Sequence, residues 1–331
     1  MSQRSHYVPE FYLNNFVTPG EKTLWVFDKK SRQFRNQLPK DTAVIKDYYL
    51  SSEEIKEGKD SIVEAWFSQM ESDASIVINK WITTPIALNK EDIQKVLPFV
   101  AFLHSRVPRE MEVTRQILQA GLDEAIEKIK QDAADLEKVK KRYEGFCRYT
   151  GNQNNVSFEE FLKISKDPTL GSQYLIGITE DAVKGYSFEK VDITAKYLNN
   201  MNWTLLLTMG EDYFMTNDCP LNIFCLDIDG KAIFGGGIAL PNVEITLPLS
   251  PRVCLRIDKK SGTNTKTIDA RYVREINRRI CHMADSYVFS AYKNNTLTKI
   301  MLEFADSHKL PKIDIASLKE MFKKAFHKGD N

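Results

Sequence analysis

Three side chains spread along the chain carry the chemistry of a hydrolytic centre: the imidazole of His6 in HYVPEFYLNNF, the guanidinium of Arg106 in SRVP and the carboxylate of Asp218 in TNDCP. A neutral imidazole accepts a proton, a carboxylate orients it or binds a divalent cation beside it, and an arginine neutralises charge building on a phosphoryl oxygen. Pro9 suits the first position of a helix running toward Phe16, which leaves His6 just before a helix amino terminus. The partial positive charge there disfavours imidazolium, so His6 is expected to be neutral, fit to act as a base or, with Asp218, as a metal ligand. Convergence of the three across the interface between the amino-terminal element and a later sheet implies a hydrolase of a phosphodiester or other phosphate-bearing substrate. Such a nuclease-like enzyme suits a toxin or defence effector.

Each of these residues also has a structural reading. Tyr7, Phe11, Tyr12 and Phe16 make an apolar anchor beside which His6 needs only one hydrogen bond to a carbonyl. Asn217 and Asp218 follow the apolar run YFMT and stand just ahead of Pro220, a setting for an Asx turn in which the carboxylate caps backbone amides. Glu71, on the helix that also carries Met70 and Ala74, is the expected ion-pair partner of Arg106. On this reading the polar residues form a buried network, and the protein is a non-catalytic scaffold that binds a protein or nucleic acid. One observable separates the two: an open concavity lined by His6, Arg106 and Asp218, or a sealed and saturated set of hydrogen bonds.

Asn277 lies in a helix with Arg271, Arg274, Arg278 and Arg279, the densest basic cluster of the chain and a candidate contact for nucleic acid or a phosphate ligand. Asp269 and Glu275 dilute it toward an ordinary solvated face. His104 and His282 fall in apolar helical stretches, His308 and His327 in charged carboxy-terminal ones, and none has metal-ligand spacing to another histidine. Five cysteines with no C-x-x-C pair read as buried free thiols.

The elements that must position these groups show in the periodicity. TLWVFDKKSRQFRNQ, residues 23–37, alternates around a polar centre and predicts a hairpin, to which DTAVIKDYYL adds a third strand. Ile62, Trp66, Met70, Ala74 and Val77 recur at helical spacing, and Asn89 caps a second helix that Pro98 kinks and Pro108 ends. Residues 110–146 predict one long, charged amphipathic helix, a ready surface for a partner helix. Gly151 and the asparagines after it break that helix, making 148–157 the best internal seam; Ser157 and Glu160 form a capping box, and 167–181 is irregular. Strand-length runs return in NWTLLLTMG, DYFMTND, VEITLPLS, RVCLRID and SYVFSA, separated by a loop around the glycines at 235–237 and by the helix ARYVREINRRICHMAD; two helices close the chain.

Without regular strand–helix alternation, these elements imply an α+β fold: a helical middle region packed against a mainly antiparallel sheet, with a small amino-terminal β-hairpin element. The expected divisions are 1–60, 61–185 and 186–331, forming one composite domain.

Composition excludes several classes. Forty-six Lys and Arg against 45 Asp and Glu give a net charge of +1, so no global field draws the chain to nucleic acid or to an anionic membrane. The longest apolar runs fall short of a membrane span, and MSQRSHYVPE has no apolar signal core, so the expected location is the cytoplasm. There is no nucleophile elbow, Walker loop, dinucleotide fingerprint, H-E-x-x-H or kinase signature.

Taken in order, HYVPEFYLNNF, Glu71, SRVP, NWTLLL, TNDCP, ITLPLSPRVCLRI and VREINRRICHMADSYVFS resemble the marks of a bacterial family of unknown function, DUF4238, over about residues 6–290. The resemblance implies no activity. One departure is that Asn217 stands where the family often has serine; asparagine still donates and accepts hydrogen bonds there.

Overall fold

The computed structural model describes residues 3–85, 88–149, 156–167, 178–226, 232–234, 237–260, 262, 264–307 and 314–328. Gly151 and its asparagine neighbours, most of the irregular stretch after residue 167, two of the three loop glycines and His308 lie outside them, as does the side chain of His327. The chain forms two compact units, one of residues 1–111 and 184–311, the other of 112–183 and 312–331.

The first unit opens with β1 (Arg4–His6), α1 (Glu10–Asn14), β2 (Leu24–Asp28), β3 (Gln33–Gln37) and β4 (Val44–Lys46), then α2 (Ser52–Glu57), α3 (Ile62–Thr83) and α4 (Lys90–Ser105). The hairpin is present, with Arg32 left-handed in its turn. The expected third strand pairs elsewhere: β4 runs antiparallel to β1, His6 opposite Val44. Asn89 caps its helix as read, its side chain accepting from the amide of Asp92, and Ser61 does the same for α3 by accepting from the amide of Glu64. The buried stripe of α3, however, is Phe67, Ala74, Val77, Ile78 and Trp81, whereas Ile62 and Trp66 stay exposed. Phe67 wins the core position because it packs on Tyr49, Phe102 and Phe188.

In the second unit, most of α5 (Pro108–Asp132) is joined by α6 (Leu136–Tyr149), α7 (Phe158–Lys166) and, beyond residue 312, α11 (Ile315–Lys328). The expected single helix over 110–146 is thus two. Asp135 breaks it by accepting from the amides of Glu137 and Lys138 and so starting α6, while buried Asp132 gathers Lys128, Lys138 and Arg142 at the corner. Part of the surface set aside for a partner helix is taken by α11: Phe322 lies against Gly121, where a Cβ would come within 3.2 Å of its ring, and Lys319 pairs with Asp123. The capping box at Ser157 and Glu160 is formed.

The remainder of the first unit holds most of α8 (Glu180–Asn199), β5 (Asn202–Thr208), β6 (Thr216–Asn217), β7 (Asn222–Leu226), β8 (Ala232–Phe234), β9 (Glu244–Pro248), β10 (Val253–Asp258), β11 (Asn264–Ile268), α9 (Ala270–Met283), β12 (Tyr287–Ser290) and α10 (Asn295–Glu303). Sequence periodicity misses α8, because its apolar residues surround the axis and Tyr186, Ile193 and Tyr197 remain exposed. In place of one sheet over 200–290 there are two larger sheets. Six strands run in the order β11-β5-β10-β9-β7-β8, with β11 parallel to β5 and the other pairs antiparallel. Four run β3-β2-β12-β6, so the amino-terminal hairpin is built onto SYVFSA, the last strand of the chain.

One face of the six-stranded sheet, with Leu205, Ile245, Leu247, Leu255 and Ile257, packs toward α3 and α4. Trp203 meets Trp81 of α3 edge-on at 6.4 Å. The opposite face places Leu206 and Cys254 under Val273, Ile276 and Ile280 of α9. Among the described residues, no helix is long and apolar enough to cross a membrane.

Candidate functional site

His6 closes β1, and its carbonyl, not its ring, is the anchoring point: it accepts from the hydroxyl of Tyr49 at 3.2 Å and from Arg106 Nη2. Arg106 is the residue on which α4 ends, and Pro108 forces the chain to turn there, so the guanidinium projects from a corner into the core. It is 2 % exposed. Its Nε donates to the Tyr49 oxygen at 3.0 Å, its Nη1 to Glu71 at 2.5 Å, and its plane lies 4.8 Å from the centroid of Phe67. The Arg106–Glu71 pair is the one expected from sequence. Nearby, Tyr12 bonds Thr216 and donates to the carbonyl of Pro248, tying the opening segment to β6 and β9.

Burial lowers the pKa of the His6 imidazole, against the opposing pull of Glu10, of the backbone at Lys40 and Pro39 and of Glu71, and its Nε2 is buried without a hydrogen-bond partner. The native state therefore excludes a proton that the unfolded chain accepts near pH 6.5. This group's contribution to stability is present above that pH and lost as pH falls below it. Melting curves from pH 7 to pH 5 should accordingly show a smaller acid-induced drop for His6→Gln than for the native sequence; an equal drop removes this account of the imidazole.

Asp218 belongs to a second polar system, wrapped around the carboxy terminus of α9. Its Oδ1 accepts from the amide of Asp285 at 2.8 Å, and its Oδ2 from Ser286 and Tyr287 at 2.6 and 2.9 Å. Burial and then the neighbouring Asp285 carboxylate push its pKa up to about 6, while the three amides pull it down. Lys29, buried at the hairpin turn, donates to the carbonyls of Cys281 and Ala284 at 2.9 Å each, and Arg109 donates to Met283 at 2.6 Å. Two cations thus sit at the negative end of the helix, with the acidic residue on the amides that follow it. Asn217 donates to Ile280 and to Asn222 and accepts from the Cys219 amide. Asn277 accepts from the Met215 amide and donates to Tyr213, completing the attachment of α9 to the β6 segment.

Lys29 and Arg109 escaped the sequence reading because a buried cation that caps a remote helix leaves no local pattern. Among the described residues, no hydrogen bond or ion pair joins His6 to Asp218. Groups of three or more side chains able to hold a metal ion are likewise absent among them.

A third system faces solvent. In β9 and β10 strict alternation sends Ile245, Leu247, Leu255 and Ile257 into the core and turns Glu244, Thr246, Arg256 and Asp258 to the α9 side. Register then lines up Asp258, Glu244 and Phe224 across β10, β9 and β7. Beyond the cover of α9 this row opens into a hollow of 280 Å³, lined also by Asn242, Lys260 and Leu226. Along α9 lies a second hollow of 470 Å³, lined by Asp269, Arg271, Tyr272, Glu275, Arg278 and Arg279.

A bridge of side chains joins the two hollows. Arg279 reaches Glu244 at 2.6 Å and covers Phe224, while the Tyr272 hydroxyl donates to Glu244 and accepts from Arg256. Of the four arginines read as a cluster, Arg274 is held away by Asp212 at 3.0 Å and Arg279 is engaged with Glu244 and Glu275. Arg278 is 3.9 Å from Glu275, and exposed Arg271 has no ionic or hydrogen-bonded partner among the described residues.

An α+β chain whose shared polar marks stitch one helix and one amino-terminal strand into the core is what these contacts define. The chain belongs to the family described as "Protein of unknown function (DUF4238)", whose model matches residues 4–294. No curated protein matches it. No solved structure matches it either.

Proposed function

We propose that the protein is a non-catalytic binding protein that takes a phosphate-bearing ligand on the trough formed by α9 and the polar ends of β7, β9 and β10. The observation that carries this reading is the contrast in saturation. Arg106 and Asp218 are buried and fully engaged with backbone and side-chain partners, whereas Arg271 and Arg278 stand largely unneutralised over an open hollow of 470 Å³. Guanidinium groups on the wall of a hollow are suited to phosphate oxygens, and here they outnumber the carboxylates of Asp269 and Glu275 beside them.

Calorimetric titration with pyrophosphate and with a short RNA, at low salt, tests it. Binding that weakens about tenfold or more in the double variant Arg271→Gln/Arg278→Gln, with an unchanged melting temperature, is the expected result, since each charge-assisted bond contributes about 1.5–3 kcal/mol. Absence of heat with both ligands on the native protein overturns the reading.

A hydrolase centred on His6 keeps one supporting observation, the neutral imidazole with its unpartnered Nε2. Turnover of RNA, DNA or a model phosphoester, with or without divalent metal and lost in His6→Ala, would move the function to that residue.

A further inference from the structure

From the trough we infer the ligand's second half: a nucleotide, with its phosphate over Arg271 and Arg278 and an amino-bearing base in the 280 Å³ hollow. This rests on the phosphate-binding reading above. The two hollows differ in chemistry in the way the two halves of a nucleotide do. The α9 hollow offers guanidinium groups for an anion. The hollow at the strand ends stands at the small end of ligand sites, roughly 300–1,000 Å³, with 280 Å³ of space. Its apolar side is exposed Leu226 and the part of Phe224 that Arg279 and Phe234 leave uncovered, a surface against which a flat ring can lie.

Its polar side carries the Glu244 carboxylate and the Asn242 amide together with Arg256, Asp258 and Lys260. Arg279 and Tyr272 hold Glu244 in place from the α9 side, the first at its Oε1 and the second across both oxygens, and its side chain keeps 23 % of its surface open. A fixed carboxylate accepts hydrogen bonds from the exocyclic amino group of cytosine or adenine and repels a carbonyl at the same position, and an asparagine amide reads the adjoining ring edge. Arg279 and Tyr272 belong to the wall of one hollow and touch Glu244 in the other, so the two hollows are neighbours across one shared wall, over which the inferred ligand would lie.

The test titrates the purified full chain with cytidine monophosphate, uridine monophosphate, adenosine monophosphate, inosine monophosphate and ribose 5-phosphate. The cytidine and adenosine nucleotides are expected to bind about tenfold more tightly than the uridine and inosine ones and than ribose 5-phosphate. Glu244→Gln should erase that preference, bringing the cytidine and adenosine nucleotides to the affinity of the uridine and inosine ones. Asn242→Ala, at an exposed turn position outside the ion-pair bridge, should reduce the preference severalfold even if Glu244→Gln misfolds. Equal binding of all five compounds overturns the base site and leaves the phosphate reading standing; no binding of any overturns both.

Discussion

Arg106→Met is expected to cost about 3–5 kcal/mol in urea unfolding, the range for removing one member of a buried, hydrogen-bonded charge pair. The cost has identifiable parts. The carbonyl of His6 and the hydroxyl of Tyr49 lose their shared donor inside the core, and Glu71 loses its counter-charge. Glu71 keeps 24 % of its side chain open and can rehydrate, so the larger share falls on the sealed groups. Methionine fills much of the aromatic cage of Tyr49, Phe67 and Phe102, which separates the polar loss from a cavity effect. Arg106→Lys should recover only part of the loss, because one ammonium cannot match the planar fork that reaches three acceptors. A loss below about 1 kcal/mol for Arg106→Met would place the pair among weak surface bridges and undo this account of the opening segment.

The second large effect is expected at Asp218. Asparagine is nearly isosteric, yet it presents one accepting oxygen where the carboxylate presents two, and its amide hydrogens would point at backbone donors. At least one of the amides of Asp285, Ser286 and Tyr287 is then unpaired in a buried turn. Leaving such a donor unsatisfied costs about 1–3 kcal/mol, so Asp218→Asn should lose at least about 1–3 kcal/mol at neutral pH. Loosening should be local first: amide exchange at 284–287 should quicken before that of β5 or β10. If exchange there is unaltered, Asp218 does not hold the turn.

Much of the local structure was legible in the sequence, because caps and turns are written in neighbouring residues. Asn89, the Ser157–Glu160 box and the hairpin at 24–37 needed nothing beyond their own stretches. Arg106 with Glu71 was legible because two helices that pack must neutralise a buried guanidinium. What periodicity cannot say is which sheet a strand joins. β4 pairs with β1, and β12 adds the last strand of the chain to the first hairpin, since those pairings depend on distant segments being free to meet.

Partners of His6 and Asp218 are likewise set by distant segments, and no hydrogen bond or ion pair joins the two among the described residues. The groups that anchor each residue meet partners far away in sequence, the carbonyl of His6 at position 106 and the carboxylate of Asp218 at 285–287. The trough had a readable signal that went unused: VEITLP and CLRID alternate cleanly, so the outward set Glu244, Thr246, Arg256 and Asp258 can be read before any coordinates. Placing that set beside the arginines of α9 requires the register of β9 against β10, which sequence does not supply.

The central claim is that the stitched residues hold the fold while the trough does the binding. Amide hydrogen exchange of the full chain, with and without saturating cytidine monophosphate or pyrophosphate, tests it most directly. Ligand-dependent protection confined to 222–226, 242–260 and 269–279 is the predicted result. Protection centred on residues 4–8 or 216–219, or none anywhere, contradicts it.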